Sequence, residues 1–176
     1  GRLVVQGREG AIDLTPPWPR LRIADAFQRH AGVDAYTLLA DETRFFEVYA
    51  TQVEPHLGRD KPVFLTHWPA SMASRLCDGD PAHAERFEVI VDAVELCNGF
   101  GELVDANEQE RRLLRDQETR RALGLPVYPL DARFLDALRE GLPPSGGNAL
   151  GLDRLLMLLL GEAHIDDVCA IPHDRL

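Results

Sequence analysis

The feature that most constrains this chain is a glycine-rich run, Pro143-Pro144-Ser145-Gly146-Gly147-Asn148-Ala149-Leu150-Gly151, leading into an unusually apolar helical segment. Leu150, Leu152, Leu155, Leu156, Met157, Leu158, Leu159 and Leu160 cover every face of one helix, a pattern that predicts burial on all sides. Asp153 and Arg154 nevertheless sit in its first turn. Removing an ionised side chain from water costs several kcal/mol unless a partner compensates. Arg154 therefore needs an anion, either a protein carboxylate or a ligand phosphate. Glycines permit a ligand to approach the main chain, and helix N-termini favour negative charge. A structural Asp–Arg pair beneath an ordinary loop satisfies the same pattern, so this segment alone leaves both readings open.

The rest of the chain reads as antiparallel strand pairs and blocks of helix, which favours an α+β fold over a doubly wound sheet. Residues 3–5 and 11–14 flank a Gly7–Gly10 turn and predict a hairpin. Three prolines in residues 15–19 forbid a ladder and predict an ordered bend. Residues 23–31 have helical spacing closed by Gly32, and residues 41–57 form a weaker helical segment. Residues 62–66 read as a buried strand, followed by a turn-rich His67–Ser71 stretch. Residues 85–91 alternate, with Phe87, Val89 and Val91 on one face, and Asp92-Ala93 separates them from a second β-prone run at 94–100. Asp105 suits the N-cap of a long polar helix ending near Gly124, and Phe134, Leu135 and Leu138 mark another closed by Gly141.

Composition excludes several classes. A net charge of −10, with Lys61 the single lysine, argues against an electrostatic grip on nucleic acid. The arginines between Arg111 and Arg121 alternate with acids and read as a solvated helix face. Cys77, Cys97 and Cys169 are widely spaced, suggest neither a disulfide framework nor a zinc site, and fit a reducing cytoplasm. No apolar run is long enough to span a bilayer, so no membrane partner is expected. The chain begins at Gly1 without methionine and enters at once into a strand-like run, which suggests residues upstream.

The octet Glu95-Leu96-Cys97-Asn98-Gly99-Phe100-Gly101-Glu102 gathers two carboxylates and an amide around an aromatic ring. In a regular strand Asn98, Phe100 and Glu102 share one face while Glu95 points away. Convergence of Glu95 and Glu102 requires a bulge, for which Gly99 or Gly101 is the expected site. An acid beside an aromatic can hold an ammonium group, and a carboxylate can hold magnesium between phosphates. A half-exposed edge strand with solvated glutamates is the alternative for the octet in isolation.

Taken together, Glu85-Arg86-Phe87-Glu88, the Glu95–Leu103 run and Gly147-Asn148-Ala149-Leu150-Gly151-Leu152-Asp153-Arg154 resemble, in order and spacing, the lysine branch of the class II aminoacyl-tRNA synthetases. Asp13-Leu14-Thr15-Pro16-Pro17-Trp18 is similar to the segment after the second class motif, so the resemblance covers nearly the whole chain. It implies an antiparallel sheet flanked by helices, and attack of an amino-acid carboxylate on the α-phosphate of ATP. It also implies roles. Glu95, with Leu96, would bind ATP and magnesium, and Asn98 would help hold the amino-acid carboxylate. Glu102 would pair with the lysine side-chain ammonium and share in metal binding, with Phe100 lining that pocket. Gly151 would admit the adenine, and Arg154 would pair with the γ-phosphate as the catalytic cation. Catalysis would consist of positioning and charge stabilisation.

Asn98-Gly99-Phe100, Ala149-Leu150-Gly151 and His67-Trp68-Pro69-Ala70-Ser71 resemble the protein-modifying paralogue of this branch more than its tRNA-charging members. The resemblance then implies lysine or (R)-β-lysine as substrate, a lysine of elongation factor P as acceptor, no tRNA, and a homodimeric parent. Ala149 would shape the pocket towards a β-amino acid. The first two class motifs, including the proline-bearing dimer motif and the Arg-x-Glu clamp, are not found and are expected upstream of Gly1, leaving this chain alone inactive. A catalytic fragment of a lysyl-tRNA synthetase and a non-catalytic synthetase-like module are the competing readings.

Overall fold

A computed structural model describes residues 3–72 and 75–172. Two compact units are present: residues 1–100 with 148–176, and residues 101–147.

The first unit opens with the expected hairpin, β1 (Val4–Gln6) against β2 (Ala11–Asp13), antiparallel with Val5 opposite Ile12. The proline-rich bend follows, and the Trp18 indole donates to the Leu14 carbonyl at 3.0 Å. A short strand β3 (Arg20–Arg22) passes directly into α1 (Ile23–Ala31), which ends at Gly32 with φ 69°, a left-handed cap that suits glycine. Helix α2 (Glu42–Val48) is capped by Asp41, whose carboxylate accepts from the Arg44 N–H. The helical path then widens into a π turn at Tyr49–Val53 and tightens into a 3₁₀ turn at Glu54–His56.

The main sheet runs β3, β4 (Val63–Pro69), β6 (Asp80–Val91), β7 (Val94–Gly101) and β8 (Gly146–Leu150), with β5 (Leu76–Cys77) also pairing β6. β4 is parallel to β3 and antiparallel to β6, which is antiparallel to β7. β4 continues beyond the predicted strand end. A bulge between Thr66 and Trp68 puts His67 at φ 57° and lets the ladder resume through Pro69. Asp92 and Ala93, at φ 52° and 55°, form the predicted two-residue turn, in the left-handed geometry that matches strand twist. Its backbone is docked: the Asp92 N–H donates to the Gly58 carbonyl and the Ala93 N–H to that of Leu57, both at 2.9 Å.

Residues 146–150, read from sequence as part of a loop, instead form strand β8 (Gly146–Leu150) beside β7. Glycine lowers strand propensity, but pairing with a long partner strand overrides it. The helix that follows, α5 (Leu152–Leu160), forms as expected, yet burial on all sides does not. Only Met157 is fully buried, while Leu152, Leu156, Leu159 and Leu160 are exposed. One sheet face receives the inward side of α5, and among the described residues no element covers its outer side.

Strand alternation divides the core in two. Leu65, Trp68, Ala84 and Ile90 face Ile23 and Phe27 of α1, Phe45 and Val48 of α2, and Tyr49 and Val53 of the π turn. Phe64, Phe87, Val89, Val91 and Cys97 lie on the opposite side with Ile12, Trp18 and Leu158. Phe87, Val89 and Val91 thus share a face, as their alternation predicts.

The second unit contains α3 (Ala106–Ala122), N-capped by Asp105, and α4 (Ala132–Glu140), N-capped by Asp131. Arg112 pairs with Glu108 at 2.6 Å, an i,i+4 contact, and Arg139 bridges Glu110 and Asp136, each at 2.8 Å. The expected solvated, ion-paired face of α3 is present; it has no buried residue.

Candidate active site

The acidic hairpin owes its shape to a bulge, at a position different from the expected one. Val89 pairs with Cys97 and Ile90 with Glu95, so Leu96 is the extra residue. Gly99 stands in the regular ladder opposite Phe87. The extra residue reverses the alternation upstream of it. Ile90, Glu88 and Arg86 share one face of β6 at successive even positions, and their partners Glu95, Asn98 and Phe100 are brought to that face as well. Leu96 packs its side chain against the second core, and its carbonyl accepts the Gly151 N–H at 2.9 Å.

That last bond ties the start of α5 to the hairpin. The Leu155 N–H donates to the Gly151 carbonyl at 2.9 Å, starting the helix, and Arg154 projects from its first turn. Arg154 Nη1 donates to the Glu95 carbonyl at 2.7 Å and lies 3.6 Å from Glu95 Oε2. The anion demanded by Arg154 is therefore a protein carboxylate in this structure. Both side chains remain partly exposed, at 47% and 33%, so the pair is open to exchange with a solvent-borne anion. A Cβ at Gly151 would meet the Arg154 side chain at 3.3 Å, so glycine leaves room for the arginine stem. Ala149 is exposed on β8.

Glu54, in the 3₁₀ turn after α2, was not singled out by the sequence. Its pKa is raised first by burial and then by the neighbouring Glu95 charge, while Arg154 opposes the rise. Glu54, Glu95 and Arg154 thus form one electrostatic group of two acids and one cation. Hard oxygen donors of this kind suit magnesium bridged to phosphate oxygens. Among the described residues, no cluster of three or more His, Cys, Asp or Glu side chains holds a metal by protein ligands alone.

Further along the same face, Glu88 is buried at 4% exposure. Its Oε1 accepts from Arg86 Nη2 at 2.6 Å and from Asn98 Nδ2 at 3.1 Å, and its Oε2 accepts from the Tyr49 hydroxyl at 3.3 Å. Burial raises the Glu88 pKa to about 7, against the pull of Arg86, with Glu95 adding to the rise. Burial also pushes the Tyr49 hydroxyl upward, helped by Glu88. Arg86 lies over the Trp68 ring at 4.3 Å and donates to the Met72 carbonyl at 2.8 Å. The sequence placed Arg86 and Glu88 in a recognisable run without indicating this hub, whose hydroxyl donor is 39 residues away.

Phe100 pairs with Arg86 in the ladder and is half-buried. Glu102 belongs to the second unit, where its N–H donates to the Ser145 carbonyl at 3.0 Å. A Cβ at Gly147 would collide with Glu102 Oε1, which accounts for glycine at that position.

A family model for class II tRNA synthetases (D, K and N) matches residues 2–175. An elongation factor P–(R)-β-lysine ligase of Enterobacter sp. (strain 638) is 42% identical over 180 residues, covering 88% of this chain and 55% of that protein. The protein of the same name from Buchnera aphidicola subsp. Acyrthosiphon pisum (strain Tuc7) is 46% identical over 130 residues, covering 73% of this chain and 40% of its own length. That from Salmonella arizonae is 41% identical over 184 residues, covering 90% and 56%. The chain spans about half the length of the relatives it matches. No described helix is long and apolar enough to cross a membrane. With an α+β architecture, a match over nearly its full length and relatives above 40% identity, the chain belongs to the class II aminoacyl-tRNA synthetase family that includes the aspartate, lysine and asparagine enzymes.

Proposed function

We propose that this chain forms part of an ATP-dependent ligase that activates lysine or (R)-β-lysine and transfers it to a lysine of elongation factor P. The observation that carries the reading is the Glu95–Arg154 pair, which sets a carboxylate and an exchangeable guanidinium on the sheet face shared with Asn98. The names of the relatives support the substrate and acceptor.

In the first step a carboxylate oxygen of the amino acid forms a bond to the α-phosphorus of ATP, and the bond to the β-phosphate oxygen breaks to release pyrophosphate. In the second, Nζ of the acceptor lysine attacks the acyl carbon, AMP leaves and a proton is lost as the amide forms. Arg154 exchanges Glu95 for the γ-phosphate and stabilises the departing charge. Glu95, freed from Arg154, would hold magnesium, and Glu102 would serve the substrate side-chain ammonium or act as a metal ligand. Magnesium, when bound, neutralises phosphate charge at these carboxylates. Gly151 and the Leu96 main chain border the adenine site, Asn98 and Phe100 the amino acid, and Ala149 tunes the choice between α- and β-amino groups. The net charge of −10 disfavours tRNA as acceptor. A cytoplasmic homodimer fits an enzyme acting on a translation factor.

The test is lysine- and β-lysine-dependent exchange of pyrophosphate into ATP by the full-length gene product, followed by transfer to elongation factor P. Arg154→Ala and Glu102→Gln should each abolish most of the exchange. Full exchange in both variants would defeat the assignments, and charging of tRNA in place of elongation factor P would reassign the acceptor.

A further inference from the structure

We propose that Glu88 is a positioning residue for the amino-acid site: its buried carboxylate fixes the Asn98 amide in one sense, nitrogen held and oxygen free, before substrate arrives. This inference rests on the function proposed above.

An asparagine amide carries a donor and an acceptor that differ little in shape, so either can face outward unless a neighbour decides. Glu88 Oε1 already receives a hydrogen from Arg86 Nη2 and so presents only an acceptor, which obliges Asn98 to turn Nδ2 towards it. Glu88 cannot swing away, because Arg86 holds the same oxygen and Tyr49 the other. Arg86 is itself locked by the Trp68 ring and the Met72 carbonyl. The register completes the alignment, with Leu65, Glu88 and Asn98 side by side across three strands.

A second observation points to a ligand. Asn98 Oδ1 is buried and has no hydrogen-bond partner within the protein. Buried polar atoms are almost always paired, so an orphan acceptor beside a candidate site calls for a donor from outside. An ammonium group of the amino acid is the chemical match. Glu88 occupies one Nδ2 hydrogen, leaving the other for an acceptor such as the substrate carboxylate. A preset amide therefore meets both ends of an amino acid without reorientation. A buried Arg86–Glu88 ion pair serving stability alone would not need the bond to Asn98.

The test uses the full-length gene product with Glu88→Gln, an isosteric change that lets the Asn98 amide turn over. The KM for lysine in pyrophosphate exchange should rise about tenfold or more, with the KM for ATP within about twofold of wild type. Tyr49→Phe, which frees only one carboxylate oxygen, should shift the lysine KM in the same direction by less. Equal rises for lysine and ATP, or no rise, would overturn the proposal. Should wild type show no exchange at all, the proposed function fails, and Glu88 is judged by a readout independent of activity. The Asn98 side-chain amide resonances, identified by their loss in Asn98→Asp, should move with a midpoint near 7 as Glu88 titrates between Arg86, Tyr49 and Glu95. That movement should vanish in Glu88→Gln. Resonances that ignore pH, or that titrate equally in Glu88→Gln, refute the coupling.

Discussion

Replacing Asp92 should uncouple the amino-terminal hairpin from the sheet. Its side chain is 4% exposed and accepts from Arg59 Nη1 at 2.7 Å and from the Arg8 N–H at 2.8 Å, while Arg59 also reaches Glu9 at 3.4 Å. Asp92 thus joins three chain regions at one turn. Hydrogen bonds involving a charged group contribute about 1.5–3 kcal/mol each, and breaking a buried ion pair costs about 3–5 kcal/mol. Asparagine tolerates the φ of 52° and can still accept the Arg8 N–H, so Asp92→Asn should lose about 2 kcal/mol. Asp92→Ala loses both bonds and adds left-handed strain, for about 4 kcal/mol. Urea denaturation followed by circular dichroism measures both values. A cycle with Arg59→Met should return a coupling of about 1.5 kcal/mol or more. Destabilisation below about 0.5 kcal/mol in Asp92→Asn would show that the buried carboxylate does not hold the turn.

Three further outcomes follow from the geometry. Gly58 has φ 69°, and a Cβ there would lie 2.5 Å from the Ile90 carbonyl oxygen; Gly58→Ala should therefore lower the urea midpoint by more than about 2 kcal/mol equivalent, and a neutral result would refute the close approach. Glu88 binds its proton up to about pH 7 when folded but only to the ordinary glutamate value of 4.5 when unfolded, so the folded state holds more protons between these values. Stability should fall by up to about 3 kcal/mol as pH rises across that window and level off above it, a slope absent in Glu88→Gln when denaturation is repeated at several pH values. Arg154→Ala breaks a half-exposed pair and should cost less than about 1 kcal/mol in the same assay, separating its role in exchange from folding.

Helix boundaries were the most legible part of the sequence because their signals are local. Asp105 caps its helix from its own side chain and Gly32 terminates its helix by conformation alone, as read, whereas the caps at Asp41 and Asp131 emerge from the structure. The Asp92–Ala93 turn was legible for the same reason. What escaped depends on partners distant in sequence. Residues 146–150 become a strand only beside β7, and the bulge at Leu96 carries no glycine or proline to announce it. Continuous leucine in α5 signals apolarity without saying how much of it another element will cover. Of the candidate site, Glu95, Asn98 and Arg154 were legible only through the family resemblance, whereas Glu54 and Tyr49 join them through a π turn that brings the end of α2 against the sheet.

The single extra residue in β7 has a consequence for anyone transplanting or redesigning this hairpin. Which side of the sheet carries the acidic group is decided by a count, and the count is odd by one at Leu96. Inserting one residue into β6 opposite Leu96 would restore regular alternation and send Glu95 to the side of Val89 and Cys97, away from Asn98, without altering any chemical group of the site. The hairpin from Glu88 to Asn98 therefore behaves as an indivisible module: segments exchanged between relatives must carry both strands together, and alignments that slip by one position through it will report a preserved motif while turning its function inside out.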